Sequence, residues 1–276
     1  MILVTGASGA LGGLVAKKLA ARDDVVFGTR TPRSAAERRI DFDDPSSLDL
    51  SGVDTVLMIS AGFGEDDVVH ARHDAFISAA EAAGVRHLVY TSLSGDGDHL
   101  AYALAHRWTE RRLRASRLRW TVLRNGLYAE FLAMIAAPDA DGVITAPLGE
   151  GRLAAVARED LAEVAARVVT APEEHAGRTY ELVGTDSLGG GDLAAALGVT
   201  YLPGSLGAVR AAIGTPDGLP ALQVPMVVGT YSAIAGGFLD GTGVAHNALP
   251  ELLGREPESA IAAYTAALRE VPRLTP

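Results

Sequence analysis

The chain begins Met1-Ile2-Leu3-Val4-Thr5-Gly6-Ala7-Ser8-Gly9-Ala10-Leu11-Gly12, and no other stretch restricts its fold as strongly. A short apolar run, Ile2 to Val4, leads into Gly6-x-x-Gly9-x-x-Gly12, and an apolar, helix-compatible segment over 11–19 follows at once. Strand, glycine turn and helix in that order make a dinucleotide-binding unit. Gly6 allows the tight turn, Gly9 lets the backbone approach a pyrophosphate, and Gly12 lets the helix pack closely on the strand. The helix N-terminus then offers N–H groups and a partial positive charge to the phosphates. Gly6, Ala7, Ser8, Gly9, Ala10, Leu11 and Gly12 are therefore expected to bind the cofactor. A glycine-rich turn in some other α/β domain is the bland alternative; the strand and helix on either side favour nucleotide binding.

The rest of the chain keeps the same rhythm. Apolar runs over 2–4, 25–29, 39–42, 55–60, 87–92 and 121–124 read as strands. Helical patterns over 11–21, 68–83 and 104–116 lie between most of them. Such alternation predicts an α/β fold, a doubly wound parallel Rossmann sheet covered on both faces. Beyond Asn125 the pattern loosens. Strands are expected over 143–146 and 180–183, and helices over 158–169, Leu249–Leu253 and 258–268. We read the whole, 1–276, as one NAD(P)-binding Rossmann-type unit. Residues 1–125 or so form the cofactor core, and 126–276 form mostly a small C-terminal substrate-binding lobe with returning strands.

Composition excludes several function classes. There is no cysteine, so disulfides, thiolate metal sites and cysteine nucleophiles are ruled out. The formal charge of −10 argues against non-specific nucleic-acid binding, which needs a basic face. No basic, apolar leader precedes the first strand, and a cytoplasmic location is expected. The charge-free stretch 218–239 contains Pro220, Gln223, Pro225, Thr230, Tyr231 and Ser232, and reads as a buried or pocket-lining segment rather than a membrane span. His70 and His73 lack a third ligand nearby, so no metal is expected and a solvated helix face is the reading. The basic run Arg107, Arg111, Arg112, Arg114, Arg117 and Arg119 reads as an exposed helix face.

The end of the second strand decides which dinucleotide is used. An Asp or Glu there would accept hydrogen bonds from the adenosine ribose. This chain has Val26-Phe27-Gly28-Thr29-Arg30-Thr31-Pro32-Arg33, with two arginines and no carboxylate. A guanidinium grips a 2′-phosphate through paired, charge-assisted hydrogen bonds, so NADP(H) is expected, with Arg30 as the main contact and Arg33 as a second. Solvent-facing arginines are the alternative. Asp41 and Phe42 follow the third strand and suit the adenine edge, with Phe42 alternatively plain core. Ser60, Ala61 and Gly62 end the fourth strand, where small residues leave room for a cofactor crossing the sheet.

With these pieces in place, the chain resembles the NmrA-like branch of the atypical short-chain dehydrogenase/reductases, and within it the type-2 NAD(P)H:quinone oxidoreductases. The resemblance rests on Thr5 to Gly12, on the segment from Ala79 to Ser92, and on Leu123-Arg124-Asn125-Gly126-Leu127-Tyr128-Ala129-Glu130. His106-Arg107-Trp108-Thr109-Glu110 matches a His-x-x-Thr-Glu helix of that group, and Arg158-Glu159-Asp160 an Arg-x-Asp helix start that reads as structural. The resemblance implies that Asn125 lines the nicotinamide site and that Gly126 and Tyr128 lie on the substrate side; Thr91, toward the cofactor, and Ser92, toward the substrate, end the fifth strand, where they could hydrogen-bond a carbonyl or equally cap a loop. Met226, Val228 and Tyr231 are candidate linings for a fairly large apolar substrate.

The superfamily's usual Tyr-x-x-x-Lys is absent, and Tyr102-Ala103-Leu104-Ala105-His106 stands in its place. Tyr102 and His106 would share one helix face, with Glu110 continuing it to orient the imidazole. A Tyr102–His106 pair could then protonate a developing alkoxide. Against this, the quinone-reductase group delivers hydride without a dedicated side-chain acid, and Tyr102 could lie just before the helix and point elsewhere. The reading is a reductase that transfers hydride from NADP(H) to a small-molecule quinone or conjugated carbonyl, with no nucleic-acid or membrane partner and a homodimer as a compatible assembly. Two alternatives stay open: a dinucleotide-sensing regulator of the NmrA type, and a ketoreductase, dehydratase or epimerase that tailors a secondary metabolite.

Overall fold

The computed structural model describes residues 1–62, 64–216 and 218–270. Its centre is a seven-stranded sheet built from β1 (Ile2–Val4), β2 (Val25–Thr29), β3 (Glu37–Arg39), β4 (Thr55–Ile59), β5 (His87–Leu93), β6 (Arg119–Asn125) and a later strand, Arg178–Leu182. The order across the sheet is β3, β2, β1, β4, β5, β6 and then Arg178–Leu182, and every pair is parallel. Between β1 and β4 the winding reverses, the point at which doubly wound sheets bind ligands beyond the carboxyl ends of their strands. The helices α1 (Ala10–Leu19), α2 (Asp66–Ala82) and α3 (Ala103–Arg114) make crossovers between strands.

Alternation along the strands decides which helix covers which face. Successive side chains point to opposite sides of a sheet. Leu3, Val56, Met58, Leu88, Tyr90 and Val122 form one buried cluster with Phe76, Ile77 and Ala80 of α2 and Leu113 of α3. Ile2, Val4, Leu57, Val89 and Leu123 form the other, with Leu11, Val15 and Leu19 of α1 and a later helix that includes Leu161, Val164 and Val168. Both faces are therefore dry, as a parallel sheet requires.

After β6 come α4 (Ala129–Ile135), β7 (Val143–Ile144), β8 (Arg152–Leu153) and α5 (Arg158–Thr170), and then β9, the edge strand Arg178–Leu182. The chain continues through β10 (Leu188–Gly189), α6 (Gly190–Leu197), β11 (Thr200–Tyr201), α7 (Leu206–Ile213), α8 (Gln223–Ala235), α9 (Leu249–Leu253) and α10 (Ala260–Glu270). A third cluster, which includes Leu132, Ile144, Leu193, Tyr231, Ile234 and Tyr264, holds α4, α6, α8 and α10 together. The charge-free stretch supplies α8, whose Val224, Val228, Tyr231 and Ile234 are buried. Among the described residues no helix is long and apolar enough to cross a membrane.

Two expectations shift here. The third strand is Glu37–Arg39, not 39–42, so Asp41 and Phe42 sit in the loop that follows it. Phe42 stacks on Phe76, with ring centroids 5.0 Å apart at 21°, which spends one face of its ring on the core. Asp41 accepts a hydrogen bond from the Asp43 N–H at 3.1 Å, closing its own loop. The helices α4, α6, α7 and α8 were not expected from the sequence.

Candidate functional site

The glycine loop sits over the point where the strand order reverses. Gly6 adopts φ +61°, a left-handed conformation in which a side chain would be strained. A β-carbon on Gly12 would lie 2.1 Å from the Gly6 carbonyl oxygen, and one on Gly9 would lie 3.2 Å from the same atom. The first turn of α1 is thus wrapped directly against the loop. Gly9 caps the helix without a side-chain oxygen, and no acid stands in the first turn. The positive end of α1 is left open for an anion. Thr5 locks the base of the loop, donating to the Leu57 carbonyl at 3.3 Å and accepting from the Ile59 N–H at 2.9 Å.

Beyond β2, Arg30 and Arg33 are both exposed. Neither guanidinium pairs with a carboxylate among the described residues, although Arg22 and Arg39, on either side in sequence, both do. Two unspent cations beside the open helix end suit a cofactor that carries an extra phosphate.

At the ends of β4 and β5 a chain of hydrogen bonds fixes the loop over 60–62. The Ser60 N–H donates to Thr91 Oγ1 at 3.1 Å, and the Ala61 N–H donates to His73 Nε2 at 3.1 Å. An Nε2 that accepts puts the imidazole proton on Nδ1, which donates to Thr109 Oγ1 at 2.7 Å. Thr109 passes its own proton to the Ala105 carbonyl at 2.8 Å. His73 is fully buried, and burial, with the nearby His106 and Arg72, lowers its pKa to about 3. It is a neutral strut for the loop, not part of a solvated face. The Ser60 hydroxyl and the Asn125 carbonyl oxygen Oδ1 are buried near the Tyr90 and Tyr128 hydroxyls but make no well-aligned hydrogen bond among the described residues.

The expected alignment of Tyr102, His106 and Glu110 does not form. Tyr102 lies just before α3, and its hydroxyl meets Thr230 Oγ1 of α8 at 3.3 Å. His106 Nδ1 instead meets the Tyr90 hydroxyl at 2.9 Å. Glu110 faces another way, into a buried knot. It accepts from Ser92 Oγ at 2.6 Å, from Arg107 at 2.8 Å, from Arg124 at 2.8 and 2.7 Å and from Arg114 at 3.1 Å. Burial alone would raise the pKa of Glu110. Arg124, Ser92 and Arg107 outweigh it and hold the carboxylate at about 2. The supposed exposed basic face thus turns two of its arginines, Arg107 and Arg114, toward this one acid.

Several expected substrate contacts are spent elsewhere. The Ser92 hydroxyl belongs to the Glu110 knot. Gly126 is wedged against Leu182 and Val183, where a β-carbon would lie 3.2 Å from the Leu182 carbonyl. Tyr231 is buried in the lobe and donates to the Ile135 carbonyl. Asp160 accepts from Arg255 at 2.7 Å and from the Glu258 N–H at 2.6 Å, a structural role. Tyr128 packs under the Arg158 guanidinium, 4.8 Å from ring centroid to carbon, and burial raises its pKa. Within α8 the Met226 carbonyl accepts from Thr230 Oγ1 at 2.9 Å, one turn before the contact between Thr230 and Tyr102. A cleft of about 860 Å³ lies elsewhere, along β9, lined by Asp96, His99, Glu181 and Phe238 among others; it touches none of the glycine-loop residues.

Tyr90 was missed by sequence reasoning, and His73, read there as part of a solvated helix face, is fully buried. Their only signal was burial of a polar ring within apolar runs, which does not separate a core residue from a working one.

Comparison with known proteins gives the same direction. Residues 6–172 match the sequence profile of a family described as NAD(P)H-binding. Quinone oxidoreductase 2 of Escherichia coli K12 is 35% identical over 264 residues, covering 87% of this chain and 90% of the relative. The structure of the Citrobacter triphenylmethane reductase complexed with NADP(H) superimposes with a TM-score of 0.86 at 29% identity, covering 97% of this chain and 99% of that one. The NADPH complex of the E. coli NADPH-dependent quinone oxidoreductase superimposes with a TM-score of 0.82 at 31% identity, covering 96% and 99%.

Proposed function

The chain belongs to the NAD(P)H-binding family, and on that premise we propose that it is an NADPH-dependent reductase acting on a quinone or a conjugated carbonyl compound. One observation carries the cofactor choice: the open N-terminus of α1 stands with two unpaired arginines beyond β2 and no acid at the strand's end. Gly6 to Gly12 would hold the pyrophosphate. Arg30, seconded by Arg33, would hold the 2′-phosphate. Ser60, Ala61, Gly62, Thr91 and Asn125 would line the nicotinamide end. Bound NADPH supplies the hydride.

The acceptor class rests on the relatives and on what the site lacks. No Tyr–Lys pair is present, and Tyr102 turns to Thr230 rather than to His106. An acceptor that takes hydride without a side-chain acid suits such a site, and quinones are of that kind. Tyr102 and Met226 would border the acceptor between sheet and lobe.

The test follows NADPH oxidation with benzoquinone, a naphthoquinone, an enone and an aryl ketone, with NADH in parallel. Quinone-dependent oxidation that prefers NADPH supports the reading. Turnover of the ketone alone would replace it with a ketoreductase.

A further inference from the structure

The cleft along β9 stands apart from the proposed cofactor path and has its own chemistry. About 860 Å³ of open space lies between the loop over 95–99, the edge strand and the segment that follows α8. One wall is aromatic: His99 packs on Phe238 with ring centroids 4.0 Å apart at 30°. Phe238 is still 48% exposed, so much of an apolar ring is offered to whatever enters.

Carboxylates make the other wall. Asp96 is pressed against the loop over 241–243, where a β-carbon on Gly243 would collide with its Oδ1 and the Gly241 N–H faces the carboxylate. Its Oδ2 is buried and makes no well-aligned hydrogen bond among the described residues. Glu181 stands beside it: a β-carbon on Gly95 would lie 3.3 Å from Glu181 Oε1. Burial raises the Asp96 pKa, the Gly241 N–H offsets part of this, and Asp240 and Glu181 add to the rise, so a cation here would offset the cost of keeping the charge. The arginines that reach the cleft do not cancel it. Arg124 already holds Glu110 and Glu181. Arg178 is on the opposite face of β9 from Glu181, its guanidinium 5.8 Å from the centre of the Tyr180 ring. Among the described residues no three acids or histidines are placed to hold a metal ion, so the cation that fits is organic.

We propose that this cleft is a second ligand site, for a small arylalkylamine whose ammonium group sits among Asp96, Glu181 and Asp240 and whose ring lies against Phe238 and His99. The site is independent of the cofactor, since its lining shares no residue with the glycine loop, with Arg30 or with the strand ends at Ser60 and Thr91. A neutral molecule of the same shape gains only the ring contact.

Phenethylamine is the probe, and 2-phenylethanol is its neutral counterpart of nearly the same shape. Titration of the ¹⁵N-labelled protein at pH 7 should move the amide signals of Gly95, Gly241 and Gly243 saturably with the amine. The alcohol should bind about 10–150-fold more weakly, the worth of a hydrogen bond to a charged group. Asp96→Asn should weaken the amine within the same range and leave the alcohol unchanged. Phe238→Ala should weaken both by about 2–13-fold, the range of one aromatic pair. Saturating NADPH should leave the amine's affinity as it was. The contrast of amine and alcohol needs only the wild-type protein, so it decides even where a variant fails to fold. No saturable shift at these glycines, an alcohol that binds as well as the amine, or undiminished affinity in Asp96→Asn would overturn the proposal. Loss of amine binding when NADPH is present, or shifts at Gly6 to Gly12 in place of these, would put the amine in the cofactor site and overturn it equally.

Discussion

Glu110→Gln keeps the shape of the side chain and removes one charge from a buried knot. The Glu110 side chain is 1% exposed and receives bonds from Ser92, Arg107, Arg114 and Arg124. Removing one partner of a buried ion pair costs ~3–5 kcal/mol, because the other charge stays behind. Here Arg124 retains Glu181 at 2.8 Å and Arg107 retains Asp98, so the lower end applies, about 3 kcal/mol. In a chain of this size that shifts Tm by roughly 6–12 °C. Urea unfolding at pH 7 measures the loss directly, and acid adds a second check. Burial raises the Glu110 pKa, but Arg124, Ser92 and Arg107 bring it from 4.5 down to about 2. A depressed folded-state pKa gives stability that is complete above pH 4.5 and is lost as pH falls toward 2. The gap between wild type and Glu110→Gln should therefore narrow across that window. A loss below about 1 kcal/mol at pH 7, within reach of a surface pair, or a gap that stays constant in acid, would refute the reasoning.

Three further outcomes follow from the geometry. Arg30→Ala should weaken NADPH by about 10–150-fold, the worth of a hydrogen bond to a charged group, and leave NADH nearly untouched, as steady-state KM values would show. Gly12→Ala puts a β-carbon 2.1 Å from the Gly6 carbonyl, so the helix must shift; loss of NADPH binding and a lowered Tm are expected, and unchanged binding by calorimetry would contradict the loop geometry. Tyr102→Phe loses only a bond to Thr230, so quinone turnover should fall far less than the ~10²–10⁴-fold that a general acid supplies.

How legible was this in the sequence? The glycine loop was almost fully so, because strand, turn and helix are contiguous and each glycine answers a local steric demand. The parallel sheet followed from apolar runs whose two faces both proved buried. The site's supports were hidden because they are long-range. His73 meets Thr109 across 36 residues, and Ser92 meets Glu110 across 18. Helical spacing put Tyr102, His106 and Glu110 on one face, but Tyr102 precedes the helix at ψ 0° and escapes that periodicity. A spacing rule states which side chains share a face; it does not state which neighbours claim their polar atoms. In the lobe, two-residue strands and the short α6 and α7 carry too little pattern to be seen in a Gly- and Ala-rich stretch.

The central claim is that hydride passes from bound NADPH to a quinone. The most direct measurement mixes the preformed NADPH complex with a naphthoquinone in a stopped-flow cell and follows absorbance at 340 nm through one turnover. Rapid bleaching whose rate saturates with quinone, and which is much slower for the NADH complex at equal occupancy, is the predicted result. A cofactor that binds tightly and stays reduced at every quinone concentration would contradict it.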